Sequence, residues 1–353
     1  MHTGYLNCLV LLALLTSSCK SSGGPVSSGP EPEKGGSKPR TGSIGVVGDT
    51  ADVKSSTKSG LVLMGGGTDV DEAFQWMIER AGGGDAVIIR VSGTDAYNPY
   101  VKKLGSLNSV ETLKIDSRSL ANNEEVATII RHAELLFIAG GDQSDYVNYW
   151  KGTKTADAIN YLLKDKKVPV GGTSAGCAIL GSSYFTGARG SVTSEEALND
   201  PTSSLIDIDH DDFLKAPFLN HVITDQHYLT RNRQGRHVVF ISKVLTDLQQ
   251  DARGIASDER TAVCIDEQGV AMVFGESKAY FLQSSIDKKP EIRKAGEKLE
   301  WNQNNHAVAV YEINGSPTGA GHFQVTDYMD PAQKGGRWYW WWVKNGELKQ
   351  ILK

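Results

Sequence analysis

A chain of 353 residues is long enough for one large domain, or for a domain with a small appendage. Its formal net charge of −5 and the lack of a basic tract argue against nucleic acid as a partner. Of its four cysteines only Cys177 and Cys264 lie beyond residue 43, where a disulfide between them would be permitted outside the cytoplasm, and no Cys/His spacing suggests a metal, so neither a cofactor nor a metal is expected.

The N-terminal residues hold a short apolar run, Leu9–Leu15, followed by Thr16, Ser17, Ser18 and Cys19. The run is too short to span a bilayer, and residues 1–18 are expected to be a secretory signal peptide, although no Lys or Arg precedes the run. Cys19 stands where a bacterial lipoprotein carries its lipid, with Thr16 where Leu is usual; an ordinary secreted protein is the alternative. Residues 19–43 are rich in Ser, Gly, Pro, Lys and Glu and predict a flexible tether. The expected location is therefore secreted or cell-envelope, with membrane contact only through a lipid on Cys19.

Residues 44–290 form the expected main domain. Leu61–Met64 predicts a strand ending in Gly65-Gly66-Gly67, and Asp69–Ala81 has apolar residues at helical spacing. Ala86–Val91 predicts a strand, Tyr97–Leu104 a helix, Val110–Ile115 a strand, and Asn122–His132 a helix capped by Asn122. Glu134–Ala139 predicts a strand running into Gly140-Gly141-Asp142-Gln143, and Thr155–Leu163 a helix. Val168–Gly171 is the next strand. Apolar strands alternating with helices predict an α/β fold with a doubly wound, mostly parallel sheet. Functional groups then belong in loops at the carboxyl ends of strands.

After that strand comes Gly172-Thr173-Ser174-Ala175-Gly176, opening a helix-compatible run to Leu180. Strand, sharp turn and helix with a serine at the apex make a nucleophile elbow: small residues on both sides let the chain turn and expose Oγ. Residues 184–220 read as an irregular excursion. Val222–His227 predicts a strand, Gln234–Leu248 a helix, and Thr261–Ile265, Val270–Phe274 and Lys278–Leu282 a terminal β meander. Residues 291–353 predict a β-rich extension with an aromatic strand, Trp338–Val343, and a hairpin turn at Asn345-Gly346. The aromatic strand reads either as packing or as a stacking platform for a polymer or glycan. Cys177 and Cys264 sit inside regular elements and read as buried thiols.

A serine nucleophile needs a base and a group that orients the base. His210, His221, His237, His306 and His322 also follow Ser174, but His227 ends an apolar strand amid Asp225, Gln226, Arg231, Arg233 and Arg236. Guanidinium forks bind carboxylates in bidentate fashion, so this cluster suits an acidic substrate. Glu259 is the candidate third member, with Asp258 its rival. The oxyanion hole would combine the Ala175 N–H with that of Gly141 or Asp142.

The ordered set Gly140–Gln143, Gly172–Gly176, Asp225–Tyr228 with Arg231, Arg233 and Arg236, and Ser257–Glu259 resembles cyanophycinases. These are serine peptidases grouped with aspartyl dipeptidase (peptidase E) on a class I glutamine amidotransferase-like fold. The resemblance spans roughly residues 60–285. It implies Ser174 as nucleophile, His227 as base and Glu259 as its partner. It also implies Gln143, Asp225, Gln226, Arg231, Arg233 and Arg236 as substrate-pocket residues. The implied substrate is cyanophycin, multi-L-arginyl-poly-L-aspartate, or a related Asp-containing peptide, cut to β-Asp-Arg-type dipeptides. Tyr228 stands where Phe is usual, and Cys177 replaces a small residue. A homodimer is compatible with the sequence. Two other readings compete. One is an α/β-hydrolase esterase with His306 or His322 as base, which would leave His227 idle. The other is a tethered binding protein without catalysis.

Overall fold

The computed structural model describes residues 40–353; the expected signal peptide, Cys19 and nearly all of the expected tether lie outside the described residues. Arg40–Lys353 forms one compact unit. In chain order its strands are β1 Ser43–Gly48, β2 Gly60–Met64, β3 Ala86–Arg90, β4 Ser109–Lys114, β5 Leu135–Ile138, β6 Pro169–Thr173, β7 Ser183–Phe185, β8 Ile208–His210 and β9 Val222–Gln226. They continue with β10 Ala252–Ser257, β11 Thr261–Ile265, β12 Val270–Gly275, β13 Lys278–Ser284, β14 Val308–Asn314, β15 Ala320–Gln324, β16 Gly336–Lys344 and β17 Glu347–Leu352. The helices are α1 Asp71–Ala81, α2 Tyr97–Lys103, α3 Arg118–Ala121, α4 Glu124–His132, α5 Gln143–Trp150, α6 Lys154–Tyr161, α7 Ala175–Ala178, α8 Ser194–Asn199 and α9 Gln234–Leu248.

The expected α/β fold is present, and its strands divide into two sheets. The first runs β1-β4-β3-β5-β6-β2-β11-β12-β15. Its central run from β4 to β2 is parallel throughout, because each strand returns through a helix laid on a face. Both faces of that run are covered, which is why β2 is apolar at every position: Leu61 and Leu63 join one core with α4, α5 and α6, while Val62 and Met64 join another with α1 and α2. The second sheet runs β17-β16-β14-β13-β10-β9-β7-β8 and is mainly antiparallel. It packs one face on the first core, through Phe281 and Ile313, and the other on α9, through Leu282 and Val310.

Several local expectations shift. Asn123, not Asn122, caps α4, its side chain accepting the N–H groups of Glu125 and Val126; Asn122 instead closes α3. The turn Gly140–Gln143 opens directly into α5, a helix the sequence reading did not place there; its apolar residues are Tyr146, Val147, Tyr149 and Trp150. The excursion at 184–220 contains β7, α8 and β8, and α8 starts with a capping box between Thr193 and Glu196. The expected meander is split: β11 and β12 pair in the first sheet, whereas β13 crosses to the second. The residues beyond 290 are β-rich as expected, and they extend both sheets, β15 at one edge and β14, β16 and β17 at the other. Asn345 and Gly346 both have positive φ, as the tight hairpin turn requires. In β16, Trp341 is buried at 2% exposure while Trp338, Trp340 and Trp342 are half-buried.

Candidate active site

β6 ends at Thr173 and α7 begins at Ala175, so Ser174 carries the whole reversal of direction. Its backbone lies at φ 51°, ψ −116°, a conformation L-residues rarely adopt. The glycines two residues away are required by contact. A Cβ on Gly172 would lie 2.4 Å from the Gly176 carbonyl oxygen, and one on Gly176 would lie 2.2 Å from the Ile138 carbonyl oxygen.

His227 follows β9 in the second sheet, also in the left-handed region at φ 50°. Glu259 lies in the short link that carries the chain from β10 in the second sheet to β11 in the first. Ser174 Oγ and His227 Nε2 are 2.8 Å apart, and His227 Nδ1 and Glu259 Oε1 are 2.6 Å apart. The three groups therefore form one hydrogen-bonded chain where the two sheets meet. His227 is 6% exposed, and burial lowers its pKa below the usual histidine value. The hydrogen bond to Glu259 opposes that shift, and the charges of Arg231 and Arg233 reinforce it. The imidazole is thus held neutral, with Nδ1–H donating to Glu259 and Nε2 free to accept a proton from Ser174.

Asp258 and Glu259 point in different directions. Asp258 Oδ1 accepts the N–H groups of Leu229 and Thr230 at 2.9 Å and the Thr230 hydroxyl at 3.0 Å, and its Oδ2 accepts from Ser277 Oγ at 2.8 Å. Burial opposes its charge, but these bonds hold its carboxyl below the usual range. Asp258 thus anchors the loop after His227, and Glu259 faces the imidazole.

Residues Gly65–Gly67, read from sequence only as a strand-end turn, tie the constellation together. Three successive carbonyls accept from its members: Met64 from Ser174 N at 3.2 Å, Gly65 from His227 N at 2.8 Å, and Gly66 from Arg260 N, next to Glu259, at 3.0 Å. A Cβ on Gly65 would lie 1.9 Å from the Asp258 carbonyl oxygen, and one on Gly66 would lie 2.4 Å from His227 Cε1. Three adjacent glycines at a strand's carboxyl end were the available signal; which loop they would meet was not.

Beside Ser174 runs the turn containing Gly140, whose Cβ, if it had one, would lie 3.5 Å from Ser174 Cβ. Asp142 caps α5, its carboxylate accepting from Ser144 N at 2.9 Å, so only its backbone N–H could serve an oxyanion. Ala175 opens α7. The adjoining cleft, about 270 Å³, is lined by Gly141, Asp142, Gln143, Phe185, Arg231, Arg233 and Arg236, among others.

The other residues expected around the substrate divide into two groups. Arg231 is exposed, and Arg233 and Arg236 reach the cleft from below. Asp225 and Gln226 do not line it. Asp225 is 1% exposed and clamps Arg236, accepting from Nε at 2.9 Å and Nη2 at 2.6 Å. Burial opposes the Asp225 charge, but Arg236 and Arg233 hold its carboxyl below the usual range. Gln226 is 3% exposed and its carbonyl accepts from Arg233 Nη1 at 2.8 Å. These two residues build the floor under the arginines.

Tyr228 is buried, and its hydroxyl lies 3.2 Å from Nδ1 of the buried His237, whose Nε2 lies 3.2 Å from the Ile223 carbonyl oxygen. His237 thereby provides a partner for the hydroxyl that Phe would lack. Cys177 and Cys264 are free and buried, and burial pushes the Cys177 thiol up to about 12. Among the described residues, no group of three or more His, Cys, Asp or Glu could hold a metal ion.

The sequence profile of peptidase family S51 matches residues 61–273. The chain is 26% identical over 232 residues to the cyanophycinase of Trichormus variabilis, covering 63% of this chain and 72% of that protein. It is 28% identical over 240 residues to the cyanophycinase of Synechococcus elongatus, covering 65% and 69%. The crystal structure of a peptidase from an acI-B1 Actinobacterium aligns with a TM-score of 0.45 at 17% identity, covering 64% of this chain and 91% of that one.

Proposed function

This chain belongs to peptidase family S51 and is a serine-type peptidase, and from that premise we propose that it hydrolyses cyanophycin or a related Asp-containing peptide through an acyl-enzyme on Ser174. The observation that carries the reading is the hydrogen-bonded chain from Ser174 Oγ through His227 to Glu259. In the proposed cycle, His227 Nε2 takes the Oγ proton as Oγ attacks the scissile carbonyl, and Glu259 stabilises the imidazolium through Nδ1–H. The Ala175 N–H, with that of Gly141 or Asp142, receives the oxyanion. His227 then returns the proton to the leaving amine. Water, deprotonated by the same imidazole, cleaves the ester and restores the Ser174 hydroxyl.

The substrate class is supported by the cleft. Arg231 and Arg233 place guanidinium groups beside the reaction centre, with Gln143 on the facing turn. Such groups bind carboxylates and amides, which a poly-aspartate backbone or its products would present. The relatives named cyanophycinase support the same substrate.

Incubation of the full chain with cyanophycin, alongside Ser174→Ala, with products read by mass spectrometry, tests the reading. Release of β-Asp-Arg by wild type alone is expected. A wild type that is labelled at Ser174 by a serine-reactive probe yet releases nothing would reject cyanophycin and leave the hydrolase chemistry intact.

A further inference from the structure

β16 carries Trp338, Trp340 and Trp342 at alternate positions, so all three indoles stand on one face of the second sheet. They are half-buried, and the face continues onto the edge strand β17, where Ile351 lies opposite Trp340 in register and is 55% exposed. Leu352, next along that edge, is 60% exposed. From sequence, this aromatic strand reads either as packing or as a stacking platform, and its ring contacts argue against the platform. Lys353 Nζ lies 5.1 Å from the ring centre of Trp338 and 5.4 Å from that of Trp340, and Lys288 Nζ lies 4.6 Å from that of Trp340. A sugar ring stacks on an open indole face, whereas ammonium groups already lie over these two rings.

The two ammonium groups are gathered over one indole. Lys288 also donates to the His306 carbonyl at 3.0 Å, and the His306 ring packs edge-on against Trp340 at 4.9 Å. Burial, with the like charge of Lys353, lowers the Lys288 pKa below the usual lysine value. No carboxylate among the described residues offsets that repulsion at Lys288, so an anion from outside would relieve it. Indole, lysine and exposed aliphatic side chains together suit the interface of an anionic bilayer. Amphipathic rings sit at the headgroups, ammonium groups meet phosphates, and aliphatic chains enter the acyl boundary. The whole chain carries a net charge of −5, so attraction to such a surface has to come from a local face like this one. We propose that the Trp338–Trp340–Trp342 face, with Lys288, Lys353 and Ile351, docks on a membrane surface of anionic phospholipid. The proposal goes beyond the peptidase reading and needs no lipid on Cys19.

The test is sedimentation of the full chain with phosphatidylcholine vesicles, with and without phosphatidylglycerol. The apolar run Leu9–Leu15 is common to every variant, so the readout is the preference for anionic over neutral vesicles. Wild type is expected to prefer the anionic vesicles by about tenfold, and Lys288→Gln combined with Lys353→Gln is expected to remove that preference. Lys288→Arg combined with Lys353→Arg keeps both charges and should keep it. Brominated phosphatidylglycerol should quench the tryptophan fluorescence of wild type, and quench it less in Trp340→Phe, which keeps a ring in the strand. A wild type without the preference would overturn the proposal, as would a preference that survives in the glutamine variant. So would binding to polygalacturonate that the glutamine variant loses, with no preference between vesicles, which would assign the face to an acidic glycan.

Discussion

The Gly65 carbonyl accepts the His227 N–H at 2.8 Å, joining the first strand of the parallel core to the residue that faces Ser174. The next residue, Gly66, passes under the imidazole at φ 95°, where a Cβ would lie 2.4 Å from Cε1. A methyl group there would have to displace the imidazole that bonds Ser174. Gly66→Ala is therefore expected to lower kcat/KM by about 100-fold or more, because sub-ångström misplacement of a base is costly. Steady-state kinetics on the purified variant checks this, and activity within threefold of wild type would reject the role given to Gly66.

Ser174 sits at φ 51°, ψ −116° with the side chain half-buried. Ser174→Ala is expected to abolish hydrolysis and to keep the strain. Ser174→Gly should be equally inactive yet more stable than Ser174→Ala, by about 1 kcal/mol, since glycine adopts this backbone freely. Urea unfolding of the two variants compares them directly; equal midpoints would mean that the turn is relaxed.

Asp225 and Arg236 form a two-bond fork at 1% and 2% exposure. Asp225→Asn leaves a buried guanidinium without its counter-charge and should destabilise the fold by about 3 kcal/mol. Arg231→Ala, at an exposed position, should leave stability within about 0.5 kcal/mol and raise KM instead. If Asp225→Asn melted like wild type and only KM rose, Asp225 would be a substrate ligand after all.

In the proposed cycle His227 must be neutral to act, so the acid limb of activity should follow it. Burial, with Arg231 and Arg233, lowers its pKa from 6.5, so activity should persist below the pH at which an ordinary histidine protonates. Arg231→Ala removes a neighbouring positive charge and should move the limb to higher pH. Glu259→Gln removes the group that favours the imidazolium and should move it lower. A kcat/KM–pH profile of the three proteins reads both signs, and a limb that stayed fixed in both variants would belong to another group.

His237 is buried between Tyr228 and the Ile223 carbonyl, and burial lowers its pKa from 6.5 to about 4. Between those values the unfolded chain binds a proton that the folded protein does not. Stability should therefore fall as the pH drops from 6.5 towards 4, with this residue contributing a slope approaching ~1.4 kcal/mol per pH unit. His237→Gln should flatten that part of the stability–pH curve. An unchanged slope in urea titrations across the window would show that His237 is protonated in the native state.

Much of the fold was legible because the parallel core is buried on both faces. Leu61–Met64, Ala86–Ile89 and Leu135–Ile138 read as unbroken apolar runs, and such runs punctuated by glycine have few other solutions. The excursion at 184–220 was opaque because its strands are three residues long and gain their partners from distant chain. Gly172–Gly176 was legible for a similar reason to the core strands: the turn is so tight that its geometry is written in the residue types. Asp225 was harder, since a carboxylate among arginines looks the same in sequence whether it meets a ligand or a neighbour.

The sequence by itself determined the alternation of strands and helices, the serine turn, and the types of residue that could act as base and acid, because these depend on local sterics and periodicity. Only the tertiary structure decided how they meet. Ser174 comes from one sheet and His227 from the other, and Glu259 lies on the crossing between them, so their hydrogen bonds depend on how the two sheets pack. That packing also turned Glu259 rather than Asp258 towards the imidazole and buried Asp225 beneath Arg236. Contacts across long stretches of chain fix these choices, and no local pattern encodes them.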